Sequence, residues 1–178
     1  IRKAVYAVFY GDLLMNVANQ VRPYEVNPGD TQRVIDQCMD DLLSQMNEGK
    51  GLNHRSMCTN FETIIDRFKA IPVTGAQKVR VGVVGEIYVK YSPLGNNNLE
   101  QFLLSEGAEP VVPGLADFVI FKIYNREVDV DIYGGKWIKQ AVCRVFAGYI
   151  KKKQRAMIDA LKRSGRVRAP GDFDELHS

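Results

Sequence analysis

Lys78-Val79-Arg80-Val81-Gly82-Val83-Val84-Gly85 is the stretch that decides the fold. It is short, rich in β-branched residues and closed by a glycine, the pattern of a parallel strand covered on both faces. A polar loop is predicted next over residues 86–96, followed by a helix from about Asn98 to Ser105. Asn97 is placed to cap that helix with Glu100 three residues later, and Gly107 to end it in left-handed backbone. Glu109-Pro110-Val111-Val112-Pro113 then reads as a second strand. Strand, helix and strand in about 35 residues predict a right-handed βαβ unit, the seed of a doubly wound parallel sheet, and so an α/β fold class. Two strands make an incomplete parallel sheet, and further strands are expected from elsewhere.

On the N-terminal side the periodicity is helical. Ala4, Val5, Val8, Phe9, Leu13, Leu14 and Val17 mark one face of a helix over residues 4–19, which Pro23 stops. Asp30, after the turn Asn27-Pro28-Gly29, is placed to N-cap a second helix with Val34, Ile35, Cys38, Met39, Leu42, Leu43 and Met46 on one stripe. A third helix is predicted from about Asn53 to Ala70, with Met57, Cys58, Phe61, Ile64, Ile65 and Phe68 inward and Pro72 closing it. On the C-terminal side, Leu115 to Tyr124 is apolar nearly all round, a buried helix or a third strand, with helix favoured. Residues 126–135 read as irregular, broken by Gly134-Gly135. A long helix then runs from about Trp137 to Arg163, its inward face given by Ile138, Ala141, Val142, Val145, Phe146, Tyr149, Ile150, Met157, Ile158 and Leu161. These elements divide the chain into a helical lead-in (1–72), an α/β lobe (73–135) and a long basic helix with a tail (136–178).

Composition excludes the non-globular classes. The 178 residues are 46% hydrophobic, 25% charged and 10% aromatic, values of an ordinary globular domain rather than of a disordered, collagenous or coiled-coil chain. The net charge of +3 conceals a partition. Residues 1–135 hold 13 Lys/Arg against 17 Asp/Glu, residues 136–168 hold 11 against the lone Asp159, and residues 169–178 carry three acids and no base. Such a block is either the solvated face of an amphipathic helix or the footprint of an anionic partner; Lys151, Lys152, Lys153 and Arg155 are its candidate anion-binding residues. Nucleic acid is not the expected partner, because only Trp137 and Tyr149 interleave the basic residues and no nucleic-acid motif occurs. Cys38, Cys58 and Cys143 are odd in number and widely spaced, which predicts no disulfide framework, no zinc site and a reducing cytoplasm, and Cys38 and Cys58, on apolar helix faces, read as structural thiols. No apolar run is long enough to cross a bilayer, so no membrane partner is expected. The start at Ile1, without Met, predicts a piece of a longer protein.

Ligands of open α/β sheets sit outside the carboxyl ends of the strands. The connection after the first strand occupies that place and is longer than usual, which makes Gly85, Glu86, Tyr88, Lys90, Asn96, Asn97 and Asn98 the candidate substrate-facing loop. Glu86 at the strand tip is read either as an acid/base or acceptor group, or as one half of a local ion pair. Neither GxGxxG nor GxxxxGK[ST] is present, so a self-contained NAD or ATP site is not predicted. His54 and His177 have no partner at ligand spacing. Arg22-Pro23-Tyr24-Glu25 reads as a binding group or, equally, as a local salt bridge or tyrosine anchor.

Several of these segments together resemble a known family. Arg22-Pro23-Tyr24-Glu25 with Gly29-Asp30-Thr31, then Val81 to Tyr88, Asn96-Asn97-Asn98, Glu106-Gly107-Ala108-Glu109 and Val112-Pro113-Gly114 are similar to the acyl-CoA dehydratase activase-related proteins. Their non-activase part is similar to the D-component of 2-hydroxyacyl-CoA (2-hydroxyglutaryl-CoA) dehydratases. The resemblance implies a Rossmann-like α/β architecture and an anaerobic, ATP-driven lyase system in which an activase passes an electron to a dehydratase component that holds a [4Fe–4S] cluster on cysteines. This chain lacks clustered cysteines and the activase ATP motif, so cluster and ATP are implied only for the full-length family and no cofactor is expected in this fragment. What the resemblance carries over is the Gly85-Glu86-Ile87-Tyr88 loop and the Asn96-Asn97-Asn98 helix start, as a substrate- or cluster-facing wall. The expected partners are acyl-CoA and the remaining domains of the parent protein. The fragment is expected not to be catalytic alone; a protein- or nucleic-acid-docking module using the basic helix 136–168 is the alternative.

Overall fold

The computed structural model describes the backbone of residues 2–133 and 137–170, and the side chains among them outside 126–140. The chain is mostly helical. α1 (Arg2–Val21), a 3-10 turn at Arg22–Tyr24, α2 (Asp30–Asn47) and α3 (His54–Lys69) come first. β1 (Arg80–Gly82), α4 (Ile87–Tyr91), α5 (Pro93–Asn96), α6 (Leu99–Ser105) and β2 (Glu109–Val111) form the α/β part. α7 (Leu115–Tyr133) and α8 (Trp137–Ser164) complete the described chain.

The main core is helical. Phe9, Leu13 and Val17 of α1, Cys38 and Leu42 of α2, Met57, Phe61, Ile64 and Phe68 of α3, Ile120 of α7 and Leu161 of α8 are buried in one cluster. Phe61 meets the Tyr10 ring edge-on, centroids 5.7 Å apart at 76°, a geometry favoured by the ring quadrupoles. The predicted stripes extend further than the buried surface: on α2, Met39 and Leu43 are exposed, and Cys58 on α3 is only half-buried. On α8 only Ile150, Met157, Ile158 and Leu161 of the predicted face are buried, whereas Ala141, Val142, Val145, Phe146 and Tyr149 are exposed or half-buried, because the core reaches only the C-terminal half of the helix. The side chain of Ile138 lies outside the described residues.

The two strands pair in parallel, Arg80 opposite Glu109, Val81 opposite Pro110 and Gly82 opposite Val111, with helix between them. They are the only strands among the described residues. A small second core of Val83, Leu103, Ala108 and Val112 lies between this pair and α6. β1 is not covered on both faces as expected: Arg80 and Gly82 are exposed and Val81 half-buried.

Three local readings are corrected. Residues 86–96 are not a plain loop but two helical turns, α4 capped by the Glu86 carboxylate and α5 by Ser92. Asn97 does not cap α6; Asn97 and Asn98 are both left-handed (φ 54° and 57°), and Asn96 Oδ1 accepts from Leu99 N–H at 3.2 Å instead. Asp30 does not cap α2 either. Gly29 holds that position at φ 97°, and the Glu25 carboxylate reaches forward to accept from Gly29 N–H (2.8 Å) and Thr31 N–H (2.7 Å). Further on, α7 continues through residues expected to be irregular, to Tyr133; the Gly134-Gly135 breaker lies outside the described residues.

Candidate functional site

A cavity of about 390 Å³ lies where α1, the β2 strand, the start of α7 and the segment after α8 meet. Helical spacing places Asp12, Asn16, Asn19 and Gln20 of α1 along one wall. Glu109 to Gly114 form the facing wall, Arg80 enters from β1, Asp117 from α7 and Met157 from α8, and Arg168 to Pro170 close the side. A wider depression between α2 and α3 is more open, and four of its five charged side chains are taken up in Arg33–Asp30 and Arg67–Asp41 pairs, each at 2.6 Å.

The cavity has two chemically different ends. At one end Glu109 is fully buried, and its carboxylate accepts from Tyr24 Oη (2.8 Å) and pairs with Arg168 and, at 3.4 Å, with Arg80. The Arg22-Pro23-Tyr24-Glu25 group is thereby assigned: Tyr24 is an anchor for Glu109 and Glu25 a cap for α2. Burial, followed by Glu109, pushes the Tyr24 hydroxyl above its ordinary pKa. Two guanidinium groups converge on one carboxylate, leaving this end with a net positive charge and half-exposed N–H donors.

At the other end Asp12 accepts from the N–H groups of Leu115 and Ala116, each at 2.8 Å, so a side chain from α1 caps the first turn of α7. A Cβ on Gly114 would stand 2.8 Å from Asp12 Oδ2, so the close approach of α1 to this turn requires glycine there. Burial raises the Asp12 pKa to about 6; the two backbone bonds oppose the shift and the neighbouring Asp117 adds to it. Asp117 accepts from Gly114 N–H (3.1 Å) and from Gln154 Nε2, while Gln154 Oε1 is buried without a partner. Beside this end, Tyr91 donates to Pro113 O; burial, then Asp12 and Asp117, hold its hydroxyl protonated well above the ordinary range. A carboxyl group with a pKa near 6 can hold or release a proton at neutral pH.

Pro110, Val112, Pro113, Met157, Ala169 and Pro170 supply an apolar wall between the ends. Five residues of extended chain from Glu109 to Gly114 measure about 16 Å, and seven residues of helix from Asp12 to Asn19 about 10 Å. The site is therefore a trough 10–16 Å long by the same estimate, cationic at one end and carboxylic at the other.

The predicted loop lies outside this trough. Glu86 is exposed, with Oε2 accepting from Tyr88 N–H at 3.1 Å, and Tyr88 covers Gly95, where a Cβ would come 2.6 Å from its ring. Lys90 stands over the Tyr91 and Phe118 rings, 5.3 and 5.5 Å from their centroids. Asn96 Nδ2 donates to Val89 O at 2.9 Å. Gly85, Asn97 and Asn98 supply positive-φ turns. Of the anion-binding candidates, Lys151, Lys152 and Arg155 line a shallow groove with His54, but Lys153 is buried, its Nζ 3.8 Å from the Tyr6 ring centroid and 4.6 Å from that of Tyr149. Lys153 is thus removed from the anion-binding set; burial lowers its pKa. Among its described residues the basic block has one buried lysine and is not a uniform charged face.

The cysteines do not fit a [4Fe–4S] cluster. Cys38 is buried against Arg67, where burial raises its pKa, Cys58 lies beside His54 at 3.9 Å, and Cys143 is on α8. Arg67 and Cys58 are nine residues apart on α3, about 13 Å along the axis, so the first two thiols lie at different levels of the bundle. Among the described residues no three His, Cys, Asp or Glu side chains come together as metal ligands. No described helix is long and apolar enough to cross a membrane. No protein-family model, curated protein or solved structure significantly matches the chain.

Proposed function

We propose that the chain is a Rossmann-like lobe of a 2-hydroxyacyl-CoA dehydratase-related protein, and that its trough receives the phosphopantetheine arm of an acyl-CoA. The observation that carries this reading is the order of groups along the trough: paired arginines, an apolar wall, then Asp12. The diphosphate at the nucleotide end of the arm suits Arg80 and Arg168, which offer charged forked donors. The extended, uncharged arm suits the wall of Pro110, Val112, Pro113 and Met157, and brings the thioester to the Asp12 end. The parallel β1–β2 pair with intervening helix supports the Rossmann-like assignment, and the motif series from Arg22 to Gly114 supports the family.

The lobe binds and orients; it does not catalyse alone. Cluster and ATP chemistry belong to other domains of the parent protein, with which this chain works. Chemical-shift mapping with CoA and acyl-CoA tests the reading. Perturbations are expected at Arg80, Val112 to Gly114, Leu115 and Arg168. Shifts confined to Lys151, Lys152 and Arg155 would instead support docking through the basic helix, and an unperturbed trough at saturating ligand overturns the proposal.

A further inference from the structure

Among the described residues the outer edge of β1 is unpaired, and its hydrogen-bonding parity is fixed. Glu109 N–H donates to Val79 O at 2.8 Å and Val83 N–H to Val111 O at 2.9 Å, so the main-chain groups of residues 79, 81 and 83 face β2. Those of Arg80 and Gly82 consequently point away from the sheet. The same edge carries exposed apolar side chains, Val79 at 74% and Val84 at 81% exposure. β2 offers no equivalent edge, because it is buried and Pro110 has no N–H. An uncovered edge can pair with another chain, and Lys78 and the exposed Arg80 on this three-residue edge restrict pairing to registers that keep those charges apart.

The sequence of the edge selects its partner. Only residues 80 and 82 of each chain present free groups within the strand, so antiparallel pairing of two copies has three registers. Centring on Arg80 sets two arginines face to face, which like charge disfavours. Centring on Gly82 leaves Val79 opposite Gly85. Centring on Val81 sets Arg80 opposite Gly82, Val79 opposite Val83 and Val81 opposite its own copy. It closes four main-chain hydrogen bonds, and Lys78 falls opposite Val84, so no like charges stand directly opposite each other. Val79, Val81 and Val83 share one face, so the layer of Val83, Leu103 and Val112 would continue across the junction. We propose that β1 is the meeting edge of a two-fold dimer of this chain, paired antiparallel about Val81, which completes a four-stranded sheet in the order β2-β1-β1-β2. The inference is independent of the ligand assigned to the trough.

The direct test is Val81→Cys. A non-hydrogen-bonded antiparallel pair holds Cα atoms about 4.5 Å apart, within disulfide range. Mild oxidation should give a dimer cross-linked from position 81 to position 81, identified by peptide mapping and absent for Tyr88→Cys. Gly82→Pro should leave the β1–β2 ladder intact, since the Gly82 N–H points outward, yet abolish dimerisation in sedimentation experiments; Val79→Lys provides the same readout without altering the backbone. A wild-type chain that stays monomeric up to about 1 mM, a dimer that survives both Gly82→Pro and Val79→Lys, or no 81–81 cross-link overturns the proposal.

Discussion

The helical body and the small α/β lobe are stabilised on different scales. α1, α2, α3, α7 and α8 share one extensive core, whereas β1, α6 and β2 enclose only Val83, Leu103, Ala108 and Val112. Buried apolar area is the main favourable term in folding, so the body carries the stability and the lobe depends on its attachment to it. Its hydrogen bonds are those of Tyr24 and Arg168 to Glu109 and of Asn19 Nδ2 to Glu100 at 2.6 Å, and Met15 of α1 packs against the small core. The trough lies along this seam. A binding site between a rigid body and a lightly held lobe can close on a ligand without unfolding either part.

Phe61→Ala should be the most damaging change. It empties a fully buried ring site and is expected to cost about 3–5 kcal/mol, seen as one cooperative shift in denaturant unfolding. Next in size is the ionisation of Asp12. Its folded pKa of about 6 lies above the ordinary 3.8, so the associated stability is fully present below pH 4 and lost as pH rises through 6. The difference corresponds to about 3 kcal/mol. Thermal unfolding of wild type and Asp12→Asn between pH 4 and 7 should show this component in the wild type only, over and above the pH dependence the two share.

Leu103→Ala should cost about 2 kcal/mol and separate the regions. Amide exchange should accelerate at Val83 and Glu109 while α1 and α3 keep their protection. Global acceleration would mean that lobe and body are one cooperative unit. Glu25→Gln is the mildest, at about 1 kcal/mol. Burial works to raise the Glu25 pKa, but bonds from Thr31 and Gly29 outweigh it and the net pKa is lowered. The corresponding stability is present above the ordinary carboxylate range and disappears as pH falls, so the cost of Glu25→Gln should be larger at pH 7 than at pH 3.

The same contrast explains what could be read from the sequence. α1, α2, α3 and α8 are periodic because each lays an apolar face on the body, and period 3.6 survives as a pattern. The β1–α6–β2 order was also legible, since β-branched residues and Gly107 punctuate it. The polar seam was not: Asp12, Tyr24, Arg80, Glu109, Asp117 and Arg168 come from distant parts of the chain, and no local spacing links them. Asp12 has a visible trace in retrospect, as an acid among the apolar residues of α1, and Glu109 as an acid opening an otherwise apolar strand. Lys153 misled for the opposite reason: three consecutive lysines suggest one exposed patch, yet consecutive helical residues point about 100° apart, and one of them turned inward. The Gly85–Asn98 segment satisfied its own polar groups by helical turns too short to produce a periodic pattern.

The central claim, that the seam holds a phosphopantetheine arm, is tested most directly by calorimetric titration with 4′-phosphopantetheine and with pantetheine, on wild type and on Arg80→Gln. The account predicts at least about tenfold tighter binding of the phosphorylated compound, worth roughly 1.4 kcal/mol, and loss of most of that advantage in Arg80→Gln. Equal binding of the two compounds, or a phosphate preference that Arg80→Gln leaves unchanged, would contradict it.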